Sequence, residues 1–374
     1  MIVKLLSDLV SFKTVTPNGD AAIDYCAKFL EKIGFVCHKL NFGSVANLYA
    51  KYGTHNKNIC FAGHVDVVPP LDGWNSDPFV LTERDGLLFG RGTNDMKGGL
   101  AAVLCAISAF LKKHTPDFSV SVMLTSDEEI MGKNGTSKIV QWLQERNEQI
   151  TGCILCESCS TDATGEYIKI GCRGSLNVDF KSVGTQCHVV SSKKFVNHLH
   201  SFAKFISDFA NTKLDDGNSN FSPSDIEMTS IDVANSVRNI IPANASAKFN
   251  IRFNDCWTFE KLEHFIKKQL PQNISVKFTR FGFPFIGSET YFTNFLAQSI
   301  NKTLGTMPKI GTAGGNSDAL SLHKLTNVVE IGTPIENAHI VNEYVSKTDL
   351  EKLYKIYFDI LGSFSAYCAK HYSR

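Results

Sequence analysis

Apolar residues recur at helical spacing through the first 35 positions: Leu5, Leu6, Leu9 and Val10, then Ile23, Cys26, Ala27, Phe29 and Leu30. The turn-forming run Thr16-Pro17-Asn18-Gly19 interrupts them, which predicts two helices. The pattern then changes to short, almost continuous apolar runs: NLYAKYG, NICFAGHVDVV, SVSVMLTSDEE and GCILCE. Such runs predict strands covered on both faces. Helices are expected at 101–112 and within 132–146, with a loop-rich stretch carrying two short strands at 74–99. Strands alternating with helices imply a mostly parallel α/β sheet.

From about residue 174 the runs alternate apolar with polar residues. Strands are predicted at 175–184, 225–234, 245–255 and 274–285, and helices at 195–211 and 258–270. Strand, helix, strand, strand, helix, strand is the order of a ferredoxin-like sandwich. The polar segment 214–225 is expected to be the most mobile loop. After residue 287 the α/β character returns, with a helix at 292–304, the Gly-rich turn GTAGGNSD, the strand NVVEIG and a closing helix at 347–368. The predicted fold is therefore α/β: a mixed, mostly parallel sheet covered by helices, formed by 1–173 and 288–374. A ferredoxin-like α+β domain is inserted at 174–287.

Composition narrows the function more than the fold. The 374 residues are 43% hydrophobic and 20% charged, with a net charge of +1. That balance excludes a strongly basic nucleic-acid binder and gives no reason to expect an anionic membrane as partner. No apolar run is long enough for a membrane span. The eleven cysteines are mostly scattered. The close set Cys153, Cys156 and Cys159 lies at the end of a buried strand, so it reads as core and not as a zinc knuckle. The absence of a secretion signal places the chain, by expectation, in the reducing cytoplasm.

Chemistry concentrates in GHVD, where His64 and Asp66 stand two apart on an extended segment and face the same way. Asp95 in GRGTNDMKGG, Glu128-Glu129 and Glu157 after apolar strands, and His339 near the far end complete the set. In parallel sheets, ligands gather outside the carboxyl ends of the strands, where these residues are predicted to lie. Imidazole and carboxylate donors suit zinc or a related divalent ion. Two such ions, about 3.5–4 Å apart, can share a carboxylate. Asp95, in its Gly-flanked turn, is the expected shared group. His64 and Glu157 would complete one site, and His339 and Glu129 the other. Asp66 is expected to orient a ligand imidazole, and Glu128 to act as general base. Arg252, in the strand FNIRFND, can grip a carboxylate bidentately. His188 reads equally as a core imidazole, a surface imidazole, or an electrophile at a developing oxyanion.

The stretches GHVDVVP, GRGTNDMKGG, TSDEE, CES and AHIVNE, in this order and spacing, resemble the aminoacylase and carboxypeptidase family of two-zinc amidohydrolases. The likeness runs along essentially the whole chain. GCRGSLN, GTQCHVV, NIIP, IRFN and GTAGGNSDA narrow it to the branch that removes a succinyl group from a diamino dicarboxylic acid. The resemblance implies a small-molecule N-acyl amino acid substrate and two divalent ions per subunit, zinc or cobalt. It also implies a homodimer through the inserted domain, with His188 reaching across to stabilise the oxyanion. Ser175, Asn239, Arg252, Thr312, Gly314 and Gly315 are implied substrate contacts. Cys172 stands where this family usually has the first of two arginines, Cys187 where it has glycine, and Leu320 where it has arginine. Ala313 and Asn316 replace the usual Ser and Thr of the turn, and Ile335 and Arg238 replace asparagines. Arg238 is a candidate to supply the charge lost at Cys172. Acetylornithine deacetylase, aminoacylase and dipeptidase chemistry are the alternatives, followed by a weakly active protein kept for binding.

Overall fold

The computed structural model describes residues 1–130, 132–287 and 290–372. The chain divides into two compact units, Met1–Gly171 with Gly287–Arg374, and Cys172–Ile286. The expected domain boundary at residue 288 lies outside the described residues.

The first unit is built on an eight-stranded mixed sheet. Its order is Val36–Phe42, Val45–Tyr52, Ser119–Thr125, Asn58–His64, Gly152–Leu155, Val328–Glu330, Tyr167–Lys169 and Lys309–Gly311. The four central strands, Ser119–Thr125 through Val328–Glu330, run parallel. Asn58–His64 and Ser119–Thr125 are buried at every position, as expected of strands with helices on both sides. Helices Lys97–Lys113 and Lys347–His371 pack together in the core, which also takes in Leu5, Leu9 and Val10 of the first helix. The predicted mostly parallel α/β sheet is thus observed. The strand Val36–Phe42 was not anticipated, because it is a largely exposed edge with no buried position to mark it. Among the described residues, no helix is long and apolar enough to cross a membrane.

One helix begins earlier than its sequence suggests. Gly98 and Gly99 lie inside the first turn of Lys97–Lys113, not ahead of it. A Cβ on Gly99 would sit 2.3 Å from the Cys156 carbonyl oxygen, and one on Gly98 would sit 2.2 Å from that of Thr93. Both contacts are with backbone, so no side chain can move aside. The glycines therefore bring the Asp95 turn directly against the strand end that carries Glu157.

The second unit holds a four-stranded antiparallel sheet, ordered Asp225–Asp232, Asn244–Phe253, Gly174–Val183 and Ile274–Gly282. Helices His198–Ala210 and Phe259–Lys268 supply the other half of its core. This is the predicted strand and helix order. Phe180 lies at the centre, with ring centroids 5.0 Å from Phe205, 5.1 Å from Phe209 and 5.7 Å from Phe249. Phe180→Ala is expected to cost about 3–5 kcal/mol of unfolding free energy, read from urea unfolding curves. The segment 214–225 is more tied down than its composition suggests. Asp215 accepts hydrogen bonds from the Gly217 and Ser224 amides, the Asn254 amide group and the Trp257 indole.

Candidate metal centre

Three parallel strands end side by side, with acidic or imidazole groups at or just past each end. His64 is the last residue of its strand and is in register with Thr125, while Ala62 is in register with Leu155. Glu128-Glu129 and Glu157 follow those two neighbouring strands within a few residues. His64 Nε2 lies 3.3 Å from Asp95 Oδ1 and 3.3 Å from Glu157 Oε1. His339 Nε2 lies 3.3 Å from Asp95 Oδ2 and 3.1 Å from the Glu129 carboxylate. Asp95 thus turns one oxygen to each imidazole. Donor atoms of His64, Asp95 and Glu129 lie within 4.8 Å of one another, as do those of His64, Glu128 and Glu157.

The backbone prepares both imidazoles. His64 Nδ1 is 2.9 Å from the Asp66 carbonyl oxygen, which can only accept, so Nδ1 carries the proton and Nε2 faces the carboxylates. The Asp66 carboxylate is farther from that ring, at 3.6 Å, and accepts instead from the Glu129 amide at 3.2 Å. Asp66 therefore reaches His64 through its main chain and Glu129 through its side chain. His339 adopts left-handed backbone (φ 63°), a conformation unfavourable for a residue with a Cβ. Its side chain remains half exposed, at the open side of the cluster.

The donor set fits a pair of divalent ions. Each imidazole has a terminal carboxylate, and Asp95 is common to both, which is the composition of open zinc sites. Electrostatics agree. Hydrogen bonds to Asp95 and Glu129 push His339 up to about 10. Burial opposes a charge on His64, but Glu157, Asp66 and Asp95 together hold it well above the usual imidazole range. Burial, aided by the Asp95 charge, raises Glu157 to about 8. Burial likewise lifts Glu128 well above the ordinary carboxyl range, as suits a group that must take up and give back a proton. Burial also works against Asp95, yet the two histidines keep it ionised.

These directions fix the sign of a pH effect. At pH 7, with its pKa near 10, His339 is protonated, and a ligand imidazole must be neutral. Glu157, near 8, also carries a proton at pH 7 and must lose it. Zinc binding at pH 7 is therefore expected to release protons, and apparent affinity to rise as pH rises. Calorimetry in buffers of different ionisation enthalpy checks this; heats independent of buffer would contradict it.

The remaining expected site residues fall into separate groups. Thr312, Gly314 and Gly315 lie in the turn after Lys309–Gly311, where Gly314 takes φ 97° and Lys169 Nζ holds the Gly315 carbonyl at 2.7 Å. That turn ends at Asp318, which burial raises to about 7 and which senses the charges of His64 and Asp66. His188, Asn239, Ser175 and Arg252 belong to the second unit. There His188 and Asn239 meet at 3.4 Å beside the short pairing of Cys187–His188 with Ile240–Ile241. Ser175 and Arg252 are register partners on adjacent strands. Arg173 is engaged by Asp225 at 2.7 Å, and Cys172 is fully buried.

Sequence reasoning missed Glu343 and Arg91. Both are buried and paired at 2.7 Å, and Glu343 also binds the backbone around Asp95. Their only advance signal was a charge set among glycines in GRG and another closing AHIVNE.

A mixed sheet with a histidine and carboxylate cluster at its strand ends, plus an inserted α+β unit, is a frame suited to holding divalent ions at the sheet's carboxyl edge. The chain belongs to Peptidase family M20/M25/M40, whose model matches residues 60–363. It is 38% identical over 374 residues to a succinyl-diaminopimelate desuccinylase of Orientia tsutsugamushi (strain Ikeda), covering 97% of this chain and 96% of that one. Among solved structures it is similar to the M20 family metallo-carboxypeptidase Sso-CP2 from Sulfolobus solfataricus. The TM-score is 0.80 at 19% identity, over 98% of this chain and 99% of that one. It is also similar to YXEP of Bacillus subtilis, described as a dinuclear metal-binding peptidase of the M20 family. There the TM-score is 0.65 at 14% identity, over 96% of each chain.

Proposed function

We propose that this protein hydrolyses N-succinyl-LL-2,6-diaminopimelate to succinate and LL-2,6-diaminopimelate, a step of lysine and diaminopimelate biosynthesis, in the cytoplasm. The observation that carries the reaction class is Asp95, with one carboxylate oxygen toward each of two imidazoles. The substrate rests on the desuccinylase relative, alike over 97% of the chain.

His64, Asp95 and Glu157 would hold one ion, and Asp95, Glu129 and His339 the other. Zinc is the first choice and cobalt the second, since both accept imidazole with carboxylate. When bound, such ions polarise the amide carbonyl and lower the pKa of a bound water. The rest falls to the chain's own residues. Glu128 takes a proton from the attacking water as its oxygen bonds to the succinyl carbonyl carbon. When the C–N bond breaks, Glu128 returns that proton to the departing amine nitrogen, so no net proton is needed. Asp66 keeps the His64 tautomer and the Glu129 backbone in place. His188 of the partner subunit in a homodimer formed through the inserted unit donates to the carbonyl oxygen as it gains charge. Ser175, Asn239, Arg252, Thr312, Gly314 and Gly315 are the proposed substrate contacts, as the family resemblance implies, with Arg252 suited to a carboxylate.

A second reading, a related N-acyl-amino-acid deacylase or dipeptidase, is favoured by one observation. Cys172 offers no charge where a second arginine would stand, and Arg173 is already paired with Asp225. One missing charged hydrogen bond is worth about 1.5–3 kcal/mol. Arg238, exposed in the second unit, is proposed to make up the difference. Side-by-side hydrolysis of succinyl-diaminopimelate, acetylornithine and acetylmethionine by zinc-loaded protein decides between the readings. Preference for either acetyl substrate overturns the first. Full desuccinylase activity in Arg238→Ala removes the role given to Arg238.

A further inference from the structure

Glu343 is completely buried and directs its carboxylate at one short stretch of chain, residues 91–95. Oε1 accepts from the Asn94 amide at 2.8 Å and the Asp95 amide at 3.1 Å. Oε2 accepts from the Gly92 amide at 3.1 Å and from Arg91 Nη1 at 2.7 Å. Its own carbonyl oxygen accepts from the Gly90 amide at 3.0 Å. One residue therefore fixes four amides and one guanidinium between positions 90 and 95. Arg91 is equally buried, with its guanidinium carbon 5.2 Å from the Trp74 ring centroid.

The same stretch is held from its other side. The Asn94 side chain donates to the Pro334 carbonyl at 2.8 Å and accepts from the Thr333 hydroxyl at 2.8 Å. The Asn94 carbonyl accepts from the Ser158 hydroxyl at 2.7 Å. Ser158 follows Glu157, and Glu343 lies four residues after His339. The three segments that carry Asp95, Glu157 and His339 are thus joined through six residues, none of them among the proposed ligands.

A buried ion pair is weak support for stability, because desolvating both charges offsets most of their attraction. It does fix geometry, and Asp95 has an unusual geometric demand: each oxygen must face a different imidazole. Sites of this kind tolerate errors of only about 0.5 Å. We infer that Glu343, braced by Arg91, is a positioning residue that sets the Asp95 carboxylate astride the two ion sites and ties its placement to the His339 loop. The inference rests on the two-ion reading of the cluster, and not on the identity of the acyl group.

The test is zinc titration of full-length wild type, Glu343→Gln and Arg91→Lys against a chromophoric chelator, with melting of the metal-free proteins alongside. In Glu343→Gln an amide N–H₂ must face donors, so the backbone around Asp95 shifts. The weaker zinc step is expected to lose about 10–100-fold in affinity, the scale for groups that orient ligands, and kcat to fall while KM stays within about twofold of wild type. Arg91→Lys, which keeps a charge but not the fork, is expected to show a smaller loss in the same step. Wild-type affinity for both ions, in variants that merely melt lower, overturns the inference and leaves Glu343 a structural residue. Should Glu343→Gln fail to fold, Arg91→Lys alone carries the same readout, and unchanged zinc steps there overturn it. Wild type that takes up fewer than two zinc ions overturns the two-ion reading itself, a result visible before any variant is measured.

Discussion

Glu128→Ala is expected to lower kcat by about 10²–10⁴-fold, the range for loss of a positioned acid–base group, while zinc content remains at two per chain. Glu129 faces His339 at 3.1 Å, and Glu128 groups with His64 and Glu157, their donor atoms within 4.8 Å of one another. Neighbours in sequence thus serve different partners. Burial and the surrounding carboxylates raise Glu128 above the ordinary carboxyl range, which makes its ionised form a stronger base toward water. Glu128→Gln keeps the volume and removes the basicity, and it should behave the same way. Zinc measured by plasma mass spectrometry alongside turnover separates the roles. If Glu128→Ala loses an ion and Glu129→Ala does not, the two assignments must be exchanged.

Asp95→Ala is expected to have the larger effect on the metals themselves. Every other candidate ligand serves one imidazole; Asp95 alone contacts both. Its removal should weaken both zinc steps together, by more than the roughly 10–100-fold that loss of an orienting partner costs, and leave no measurable hydrolysis. Removing Glu157 should instead weaken one step and spare the other. Metal-free wild type provides the reference, because activity must return on adding zinc to it and fail to return in Asp95→Ala. Two zinc steps of wild-type strength in Asp95→Ala would falsify the shared-carboxylate arrangement.

Much of the first unit was legible because its central strands are buried on both faces, which leaves unbroken apolar runs such as NICFAG and SVSVMLT. The second unit was legible for the opposite reason. Gly174–Val183 and Asn244–Phe253 alternate buried and open positions along their length. Short or exposed pieces were not legible. Val36–Phe42 lacks a buried position, and Tyr167–Lys169 and Lys309–Gly311 are three residues each, too short for any period to register. At the site, donor types and their place after apolar strands pointed to His64, Asp95, Glu129 and Glu157, whose side chains the fold brings together. What stayed hidden was how they are held. That His64 is met by the Asp66 carbonyl and Glu129 by the Asp66 carboxylate depends on a turn whose path no residue pattern records. Glu343 was missed because its partners lie about 250 positions earlier in the chain.

The strand order has a consequence in time. Val328–Glu330 sits in the interior of the main sheet, between Gly152–Leu155 and Tyr167–Lys169, which are both made far earlier. A ribosome adding about 5–20 residues per second needs roughly 8–30 s to travel from Gly171 to Val328. During that interval the nascent sheet has a slot where its missing strand belongs, with the Gly152–Leu155 backbone unpaired on that side. The inserted unit, Cys172–Ile286, is complete before the slot is filled and can fold in the meantime. Its synthesis delays closure of the sheet that surrounds it in sequence, and His339 and Glu343 emerge only after that closure becomes possible. The proposed ligands of one ion, His64, Asp95 and Glu157, are thus all made before the inserted unit, whereas the set that includes His339 is complete only near the end of synthesis.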